Sequence, residues 1–515
     1  MREELNSYGS QFDIDQTTGE ILFNRKFKEH IKLPCRAFIG NNILFRLADI
    51  IPGISNAKCI LVATYKNAFS LNANFHEIRR SLKNFKNRFI FFNKIEEPTV
   101  ATIKNLSDVI RKESVDLIIA LGGGTVIDVA KAAAGLALQS GEIEDYLLNK
   151  KPFNSDKNIQ MIAVPTIVSS GSEGNDCAVY ITTGDLKTSI RGLKVPFVII
   201  DPLILSSVPS NQATITGLDG FCQVIEAFMN PNSNTFNDLL SLESIRLFNK
   251  NLPPYLEGIT NETVLWELSI AGYLHAISNF NVTYEKGGLG LAHSLVHLCN
   301  KYRIAHGNMV AILLPSTLRF LLLKSSYAAQ KLQGLCEVFH ISVIPDDQAE
   351  APHKAIDYIE NFIKFFLRRG NLPITLQEAE VKLYGYIDII DSEKPKIVNG
   401  HLNLDIDDEH LLMILRGKQD FSKISSIREK ILLDISKIAA EEGAFTADFQ
   451  ELQSIEQVLV NILSNYHFIH SSNVRRTWKK SDRKDIYEQV DRFIQKKYKY
   501  EMKKVEGRDR FLGIC

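Results

Sequence analysis

The stretch Asp116–Lys131 reads DLIIALGGGTVIDVAK, and it decides the fold of the chain. It opens with the apolar run Leu117–Leu121, which is short enough to be a strand buried on both faces of a parallel sheet. The glycines Gly122–Gly124 follow, and glycine lets a backbone turn sharply and approach a ligand. Apolar residues then recur at helical spacing from Val126, with Thr125 placed to cap the helix. A strand, a glycine turn and a helix N-terminus in this order predict a phosphate-binding turn.

Further apolar runs, separated by helical stretches, lie on both sides of this turn. The predicted strands are Ala37–Gly40, Cys59–Ala63, Phe89–Phe92, Met161–Pro165 and Phe197–Ile200. Strands that alternate with helices at this spacing imply a parallel, doubly wound sheet. After Pro209 the pattern becomes almost entirely helical. The sequence therefore predicts an α/β domain with a parallel sheet over residues 1–209. An all-α domain follows over residues 210–515.

The bulk composition limits the classes of function. Lys and Arg number 60 in the 515 residues, as do Asp and Glu, so nothing global favours nucleic acid or an anionic membrane. The N-terminal stretch MREELNSYGSQFDID is too polar for a secretory signal, and no run of 18 apolar residues is present. Seven scattered cysteines without a CxxC pair indicate free thiols in a reducing compartment. We expect a cytoplasmic protein that binds neither nucleic acid nor membrane.

A hydroxyl-rich stretch, TIVSSGSE, follows the predicted strand Met161–Pro165. The hydroxyl groups of Thr166, Ser169 and Ser170 can donate hydrogen bonds to phosphate or ribose oxygens. Taken alone, such a stretch is more often a loop with local turn bonds. Only the family resemblance described below favours a ligand-binding role for it.

A candidate metal site lies in the predicted helical domain. Asp219 and Gln223 are four residues apart, so a helix places them on one face. His293, His297 and His306 follow in GLAHSLVHLCNKYRIAHGN, the first two also four apart on a predicted helix and the third in a predicted loop. A single histidine on an apolar face is usually a core residue, but three close together with an aspartate favour a site for divalent iron or zinc.

These motifs resemble those of one known family. GGGTVIDVAK resembles the glycine-rich motif of the iron-containing (group III) alcohol dehydrogenases, and PTIVSSGSE resembles their PTTxGTGSE motif. Ordered matches cover about residues 35 to 320. The resemblance implies that residues 1–209 form an α/β dinucleotide-binding domain, and that residues 210–515 form an all-α metal and substrate domain with an extra helical extension. The resemblance implies an NAD(P)-dependent oxidoreductase that acts on a small polar or phosphorylated alcohol or aldehyde, and we expect a homodimer. It also implies that Lys187 contacts the dinucleotide, although a surface lysine is the commoner meaning of such a residue.

The resemblance assigns the metal ligands position by position. They are Asp219, Gln223, His293 and His306, and His297 matches a histidine near the nicotinamide that could shuttle a proton. Gln223 stands where the family has histidine, and its neutral amide oxygen is a weak ligand for iron or zinc. Three interpretations stay open: a metal held by the other three residues, a different metal, or a metal-free site in which His297 polarises the substrate. We favour the first.

Two further points concern the cofactor and the reaction. Tyr65 takes the place of a family aspartate that holds the ribose, and together with Lys66 this favours NADP over NAD. Sugar-phosphate cyclases such as dehydroquinate synthase share the architecture, but Cys222 stands where they have a lysine. The alternative to a dehydrogenase is a cyclase or lyase, or a metal-free or non-catalytic relative.

Overall fold

The computed structural model describes most of the first 379 residues and a short part of the remainder. The described residues are 12–14, 21–23, 34–54, 56–68, 75–76, 78–80, 88–148, 151–182, 187–283, 288–296, 302–343, 345–379, 408–415 and 417. The chain forms two compact units, residues 1–373 and 374–515. The candidate ligands Asp219, Gln223, His293 and His306 all belong to the first unit. His297 and the predicted extension after Ser471 lie outside the described residues.

The strands, in chain order, are β1 Phe12–Ile14, β2 Ile21–Phe23, β3 Arg36–Ile39, β4 Cys59–Tyr65, β5 Arg88–Ile95, β6 Leu117–Gly122, β7 Gln160–Pro165, β8 Ala178–Ile181, β9 Lys187–Ile190 and β10 Phe197–Ile200. The helices are α1 Leu47–Ile54, α2 Val100–Glu113, α3 Gly124–Leu136, α4 Ile143–Leu147, α5 Ser210–Met229, α6 Thr235–Leu256, α7 Glu262–Thr283, α8 Leu291–Ser294, α9 His306–Lys324, α10 Ser326–Val338, α11 Ala351–Arg369 and α12 Asp408–Leu415. Short 3-10 helices are Ile43–Arg46, Ser172–Gly174, Pro202–Ser207 and Pro345–Glu350.

Six strands form the main sheet in the order β3-β10-β7-β6-β4-β5. Every pairing between neighbours in this sheet is parallel, which confirms the predicted α/β class and parallel sheet. Gly122 at the end of β6 is in register with Pro165 at the end of β7, and Leu121 with Thr64 near the end of β4. The glycine turn, the hydroxyl-rich stretch 166–173 (the serine loop) and Tyr65 therefore lie at one edge of the sheet. This edge is formed by the carboxyl ends of the strands, where ligands bind in open α/β sheets.

The apolar runs are continuous because the central strands are buried on both faces. Leu61 and Ile118 belong to one apolar cluster, and their neighbours Ile60 and Ile119 belong to another. Successive strand residues point to opposite faces, so the two clusters are separate layers on either side of the sheet. Helix α3 closes the first layer and is buried from Val126 to Leu136.

Among the described residues after Pro209 every secondary-structure element is a helix, as the sequence predicted. The boundary at residues 209 and 210 coincides with the start of α5, but its status as a domain boundary stays a prediction. Among the described helices, α9 is long and apolar enough to cross a membrane by length and composition alone. However, 67% of its apolar window is buried within the protein, as in a core helix. Five of the described cysteines are free thiols, in agreement with the prediction. They are Cys35, Cys59, Cys177, Cys222 and Cys336.

Candidate active site

The glycine turn joins β6 to α3, and its three residues pack so closely against neighbouring side chains that they leave no room for a Cβ atom. Gly123 has φ −79° and occupies the N-cap position, so its conformation is one that other residues also adopt. A Cβ atom added at Gly122 would lie 2.6 Å from a methyl of Val126, and one at Gly123 would lie 2.5 Å from Ile167. A Cβ at Gly124 would collide with the hydroxyl of Ser170. The triplet therefore brings the N-terminus of α3 into contact with the serine loop.

Helix α3 begins two residues earlier than the sequence predicts. Thr125 does not cap α3, because the helix begins at Gly124 and Gly123 is its cap. The first turn of α3, whose residues are all described, carries neither an acidic side chain nor a capping side-chain bond. Its backbone N–H groups and positive dipole end therefore remain suited to an anionic ligand.

The three predicted hydroxyl groups of the serine loop have different surroundings. The amide N–H of Thr166 donates to the carbonyl oxygen of Gly122 at 3.2 Å, which fixes the loop beside the glycine turn. The hydroxyl groups of Ser170 and Ser172 are 2.9 Å apart. The Ser169 hydroxyl instead donates to Oδ2 of Asp219 at 2.8 Å, so it faces the candidate metal ligand. The serine loop thus contacts both the glycine turn and the candidate metal ligand Asp219.

A buried lysine that the sequence analysis missed donates hydrogen bonds to this loop and to the residues that follow it. The Nζ atom of Lys131 donates to the carbonyl oxygen of Ser172 at 2.7 Å, and to the backbone and side-chain oxygens of Asn175 at 3.2 and 2.8 Å. It also lies 3.5 Å from a carboxylate oxygen of Asp128, and the Lys131 side chain is fully buried. Burial raises the pKa of the neighbouring Glu173 to about 7, against smaller opposing effects of its own backbone N–H and of Lys131.

One carboxylate and two imidazoles converge on a single point. Ligand atoms of Asp219, His293 and His306 all lie within 4.8 Å of one another. Oδ1 of Asp219 is 3.8 Å from Nε2 of His293 and 3.9 Å from Nε2 of His306. Oδ1 of Asp219 and Nε2 of His293 are buried and have no hydrogen-bond partner within the described part of the chain. Such atoms are costly to bury unless a ligand satisfies them, so the residues fit a divalent metal ion.

The structure corrects two predictions about the histidines. Helix α8 ends at Ser294, so the predicted helix from His293 through position 297 is wrong at its C-terminal end. His306 is the first residue of α9 and does not lie in a loop. The next residue, Gly307, packs against α5, where an added Cβ would lie 2.7 Å from Cβ of Asp219. Glycine at this position therefore lets His306 approach the carboxylate.

Gln223 supports Asp219 in the described structure. Its amide Nε2 donates to Oδ2 of Asp219 at 2.9 Å, and its Oε1 accepts from Nδ2 of Asn279 at 2.8 Å. An ionised carboxylate only accepts hydrogen bonds, so the amide nitrogen must face Asp219 and the oxygen must face away. Nε2 of His275 lies 3.0 Å from the same amide oxygen, and burial lowers the pKa of His275 to about 4. Gln223 as a metal ligand stays a prediction that this orientation does not favour.

Glu226 contacts His293 on the side away from Asp219. Its carboxylate accepts a hydrogen bond from Nδ1 of His293 and another from the amide N–H of Ala292 at 2.8 Å. Burial by itself would lower the pKa of His293, but the charge of Glu226 and its hydrogen bond outweigh burial and raise that pKa. The charge of Lys187 has a smaller effect in the opposite direction on the pKa of His293.

The end of β4 carries the residues that the sequence linked to cofactor choice. The ring centroids of Tyr65 and Phe75 are 5.6 Å apart. The ammonium group of Lys66 is 2.5 Å from a carboxylate oxygen of Glu96, and both side chains are exposed. A lysine that already has a carboxylate partner attracts a 2′-phosphate less strongly, which weakens the reason to favour NADP.

A parallel sheet with a glycine turn at its carboxyl edge, beside a carboxylate and imidazoles on packed helices, is typical of a dinucleotide-dependent, metal-assisted oxidoreductase. Comparison with known families gives a more specific result. The family described as iron-containing alcohol dehydrogenase matches residues 34–202, and its C-terminal part matches residues 213–389. The two matches together span well over half of the chain, and the chain belongs to the iron-containing alcohol dehydrogenase family.

Individual relatives agree with this result. The NAD-dependent methanol dehydrogenase of Bacillus methanolicus is 23% identical over 387 residues, covering 71% of this chain and 95% of the relative. An alcohol dehydrogenase of Thermococcus barophilus is 30% identical over 245 residues, covering 46% of this chain and 61% of the relative. The crystal structure of an archaeal halo-thermophilic Red Sea brine pool alcohol dehydrogenase has a TM-score of 0.66 at 20% identity, covering 75% of this chain and 98% of its own. That likeness shows a shared fold.

Proposed function

We propose that the chain catalyses reversible hydride transfer between a nicotinamide dinucleotide and a small alcohol or aldehyde, with iron or zinc held by Asp219, His293 and His306. The observation that carries the proposal is the convergence of Oδ1 of Asp219 and Nε2 of His293, both buried without a hydrogen-bond partner in the described residues, beside His306. A divalent ion held there would act as a Lewis acid on the substrate oxygen. Three protein ligands leave a position open for that oxygen.

The protein's own residues have distinct proposed roles. Asp219 supplies the anionic ligand of the cluster, and the donors Ser169 and Gln223 both bind its Oδ2, which leaves Oδ1 directed at the two histidines. His297 is proposed to move the proton of the substrate hydroxyl. Its place in the structure lies outside the described residues, so this role follows from the sequence alone.

The dinucleotide is proposed to lie along the carboxyl edge of the sheet. The backbone of Gly123 and Gly124 at the start of α3 would receive its phosphates, with the hydroxyl groups of Thr125 and Ser170 nearby. Thr166 and Ser169 shape the loop, while Lys187 would contact the dinucleotide on the metal side. The relative from Bacillus methanolicus is named as NAD-dependent, which supports the nicotinamide class. We propose NAD or NADP, with the choice made at Tyr65, Lys66 and Glu96.

The working form and location are also proposals. Family membership supports a small-molecule substrate, and we propose a small polar or phosphorylated alcohol or aldehyde. A cytoplasmic homodimer, with domains over residues 1–209 and 210–515, is consistent with the sequence and is testable by sedimentation and limited proteolysis.

The experiment is a spectrophotometric assay of the purified protein with NADH or NADPH and a panel of aldehydes, with and without added Fe²⁺ or Zn²⁺. Loss of nicotinamide absorbance that requires both aldehyde and metal would support the proposal. A cyclase or lyase would instead convert a phosphorylated sugar with no net change in absorbance. Tight NAD(P)H binding without turnover of any substrate would indicate a non-catalytic relative.

A further inference from the structure

We infer that Glu226 is a positioning residue that fixes the tautomer of His293 and so makes Nε2 of His293 able to bind a metal. Glu226 lies seven residues after Asp219, two turns along α5, so both carboxylates lie on the same face of the helix. The Glu226 side chain is only 4% exposed. This inference rests on the proposed metal site, but it concerns a residue beyond the proposed ligands.

The two oxygens of Glu226 bind different partners. Oε1 accepts from the amide N–H of Ala292 at 2.8 Å and from the amide N–H of His293 at 3.3 Å, and Oε2 accepts from Nδ1 of His293. One buried side chain therefore holds both the backbone of α8 and the imidazole that α8 carries. Gly290 makes room for it, because a Cβ at that position would collide with the Glu226 carboxylate.

This geometry determines where the imidazole proton lies. The carboxylate of Glu226 can only accept, so Nδ1 of His293 must carry the hydrogen. In the neutral ring Nε2 then has a free lone pair, and this is the atom that lies 3.8 Å from Oδ1 of Asp219. A carboxylate behind a ligating imidazole also orients the ring and increases its basicity.

The backbone donors make the substitution Glu226→Gln a sharp test. The N–H groups of Ala292 and His293 require an acceptor, so the amide oxygen of the glutamine must take the place of Oε1. The amide nitrogen then takes the place of Oε2 and donates to Nδ1 of His293. That hydrogen bond forces the proton onto Nε2, which removes the lone pair aimed at the cluster while the shape of the side chain is preserved.

The primary measurement is the ¹⁵N NMR spectrum of the imidazole groups in the metal-free protein, with the His293 signals identified by comparison with His293→Asn. At alkaline pH, where the imidazole is neutral, wild type should show the Nδ1–H tautomer, and Glu226→Gln should show the Nε2–H tautomer. The opposite tautomer in wild type would overturn the inference whether or not the variant folds. This readout does not depend on metal, so it stays informative if the proposed metal site fails.

The second measurement is the affinity for Zn²⁺ by chelator competition. Glu226→Gln should weaken binding about 10- to 100-fold, whereas Glu243→Gln, an exposed substitution on α6, should leave it unchanged. Glu226 acts through the imidazole, so Glu226→Gln should cause little further loss in a His293→Ala background. Equal losses in both backgrounds would contradict the inference. Absence of Zn²⁺ binding by wild type, with the expected tautomers observed, would refute the metal part of the proposed function alone.

Discussion

Replacement of Gln223 by histidine should have opposite effects with and without metal. In the described structure the Gln223 amide donates to Asp219 and accepts from Asn279. An imidazole turned towards the cluster leaves the buried Nδ2 donor of Asn279 and one acceptor position of Asp219 without these partners. Each unsatisfied buried group costs about 1–3 kcal/mol. The metal-free variant should therefore have a free energy of unfolding that is lower than that of wild type by roughly 2–6 kcal/mol.

Metal should reverse this loss. Histidine at position 223 lies one turn from Asp219 and would add an imidazole ligand to a set that already contains His293 and His306. A ligand present at 100 times its dissociation constant adds about 2.7 kcal/mol to the free energy of unfolding. Gln223→His should therefore be stabilised more by Fe²⁺ or Zn²⁺ than wild type, and should retain more metal after dialysis against EDTA.

The assay is urea denaturation of both proteins with chelator and with excess Zn²⁺. Gln212→His, an exposed substitution in the first turn of the same helix, controls for a histidine that lies away from the cluster. Unchanged stability of Gln223→His in chelator would show that the amide contacts do not matter. An equal gain from Zn²⁺ in wild type and variant would show that the side chain at position 223 does not reach the metal.

Three further predictions follow from the cofactor side of the site. Gly124→Ala should weaken dinucleotide binding at least tenfold. If the cause is collision with Ser170, the double variant with Ser170→Gly should recover most of the affinity, as measured by fluorescence titration of NADH. Glu96→Gln should free Lys66 and raise the affinity for NADPH relative to NADH by about two- to five-fold, the range expected for an exposed charge pair. Burial raises the pKa of Glu173 from 4.5 to about 7, so folding favours its protonated form and this contribution to stability is lost as pH rises from 4.5 to 7. Glu173→Gln should therefore be more stable than wild type by about 3 kcal/mol at pH 8, with little difference at pH 4.5, in urea denaturation.

Each of these predictions has its own control. If Ser170→Gly alone binds NADH normally, failure of the Gly124 and Ser170 double variant to recover affinity would show that the glycine is needed for direct approach of the phosphate. Glu97→Gln, next to Glu96 in sequence, should leave the NADPH to NADH ratio unchanged, and an equal shift in both variants would point to general charge. A pH-independent difference between Glu173→Gln and wild type would mean that the pKa of Glu173 is the same in the folded and unfolded states.

Much of the fold could be predicted because a strand that is buried on both faces has a continuous run of apolar residues. The run Leu117–Leu121 is continuous since both faces of β6 are covered, and the glycines that follow mark the end of the strand. The set Asp219, His293 and His306 could be predicted from residue type and from resemblance. The end of α8 at Ser294 could not, because residues 295 and 296 are apolar and continue the helical pattern.

The residues that sequence analysis missed are those whose chemistry depends on burial. A lysine side chain in a helix is usually exposed to solvent. Only the packing of α3 against the serine loop shows that the side chain of Lys131 is buried. Glu226 could have been found, since its spacing of seven from Asp219 places a second carboxylate on the same helix face. Ser169 and Lys66 were assigned to the dinucleotide, but their side chains contact Asp219 and Glu96, which only the tertiary structure could reveal.

The central claim is that Asp219, His293 and His306 hold one divalent metal ion. Isothermal titration of the metal-free protein with Zn²⁺, and with Fe²⁺ under anaerobic conditions, tests it most directly when wild type is compared with Asp219→Asn. Wild type should bind one equivalent of metal, and the affinity should be at least 100-fold lower in Asp219→Asn because the anionic ligand is lost. No binding by wild type, or equal binding by both proteins, would contradict it.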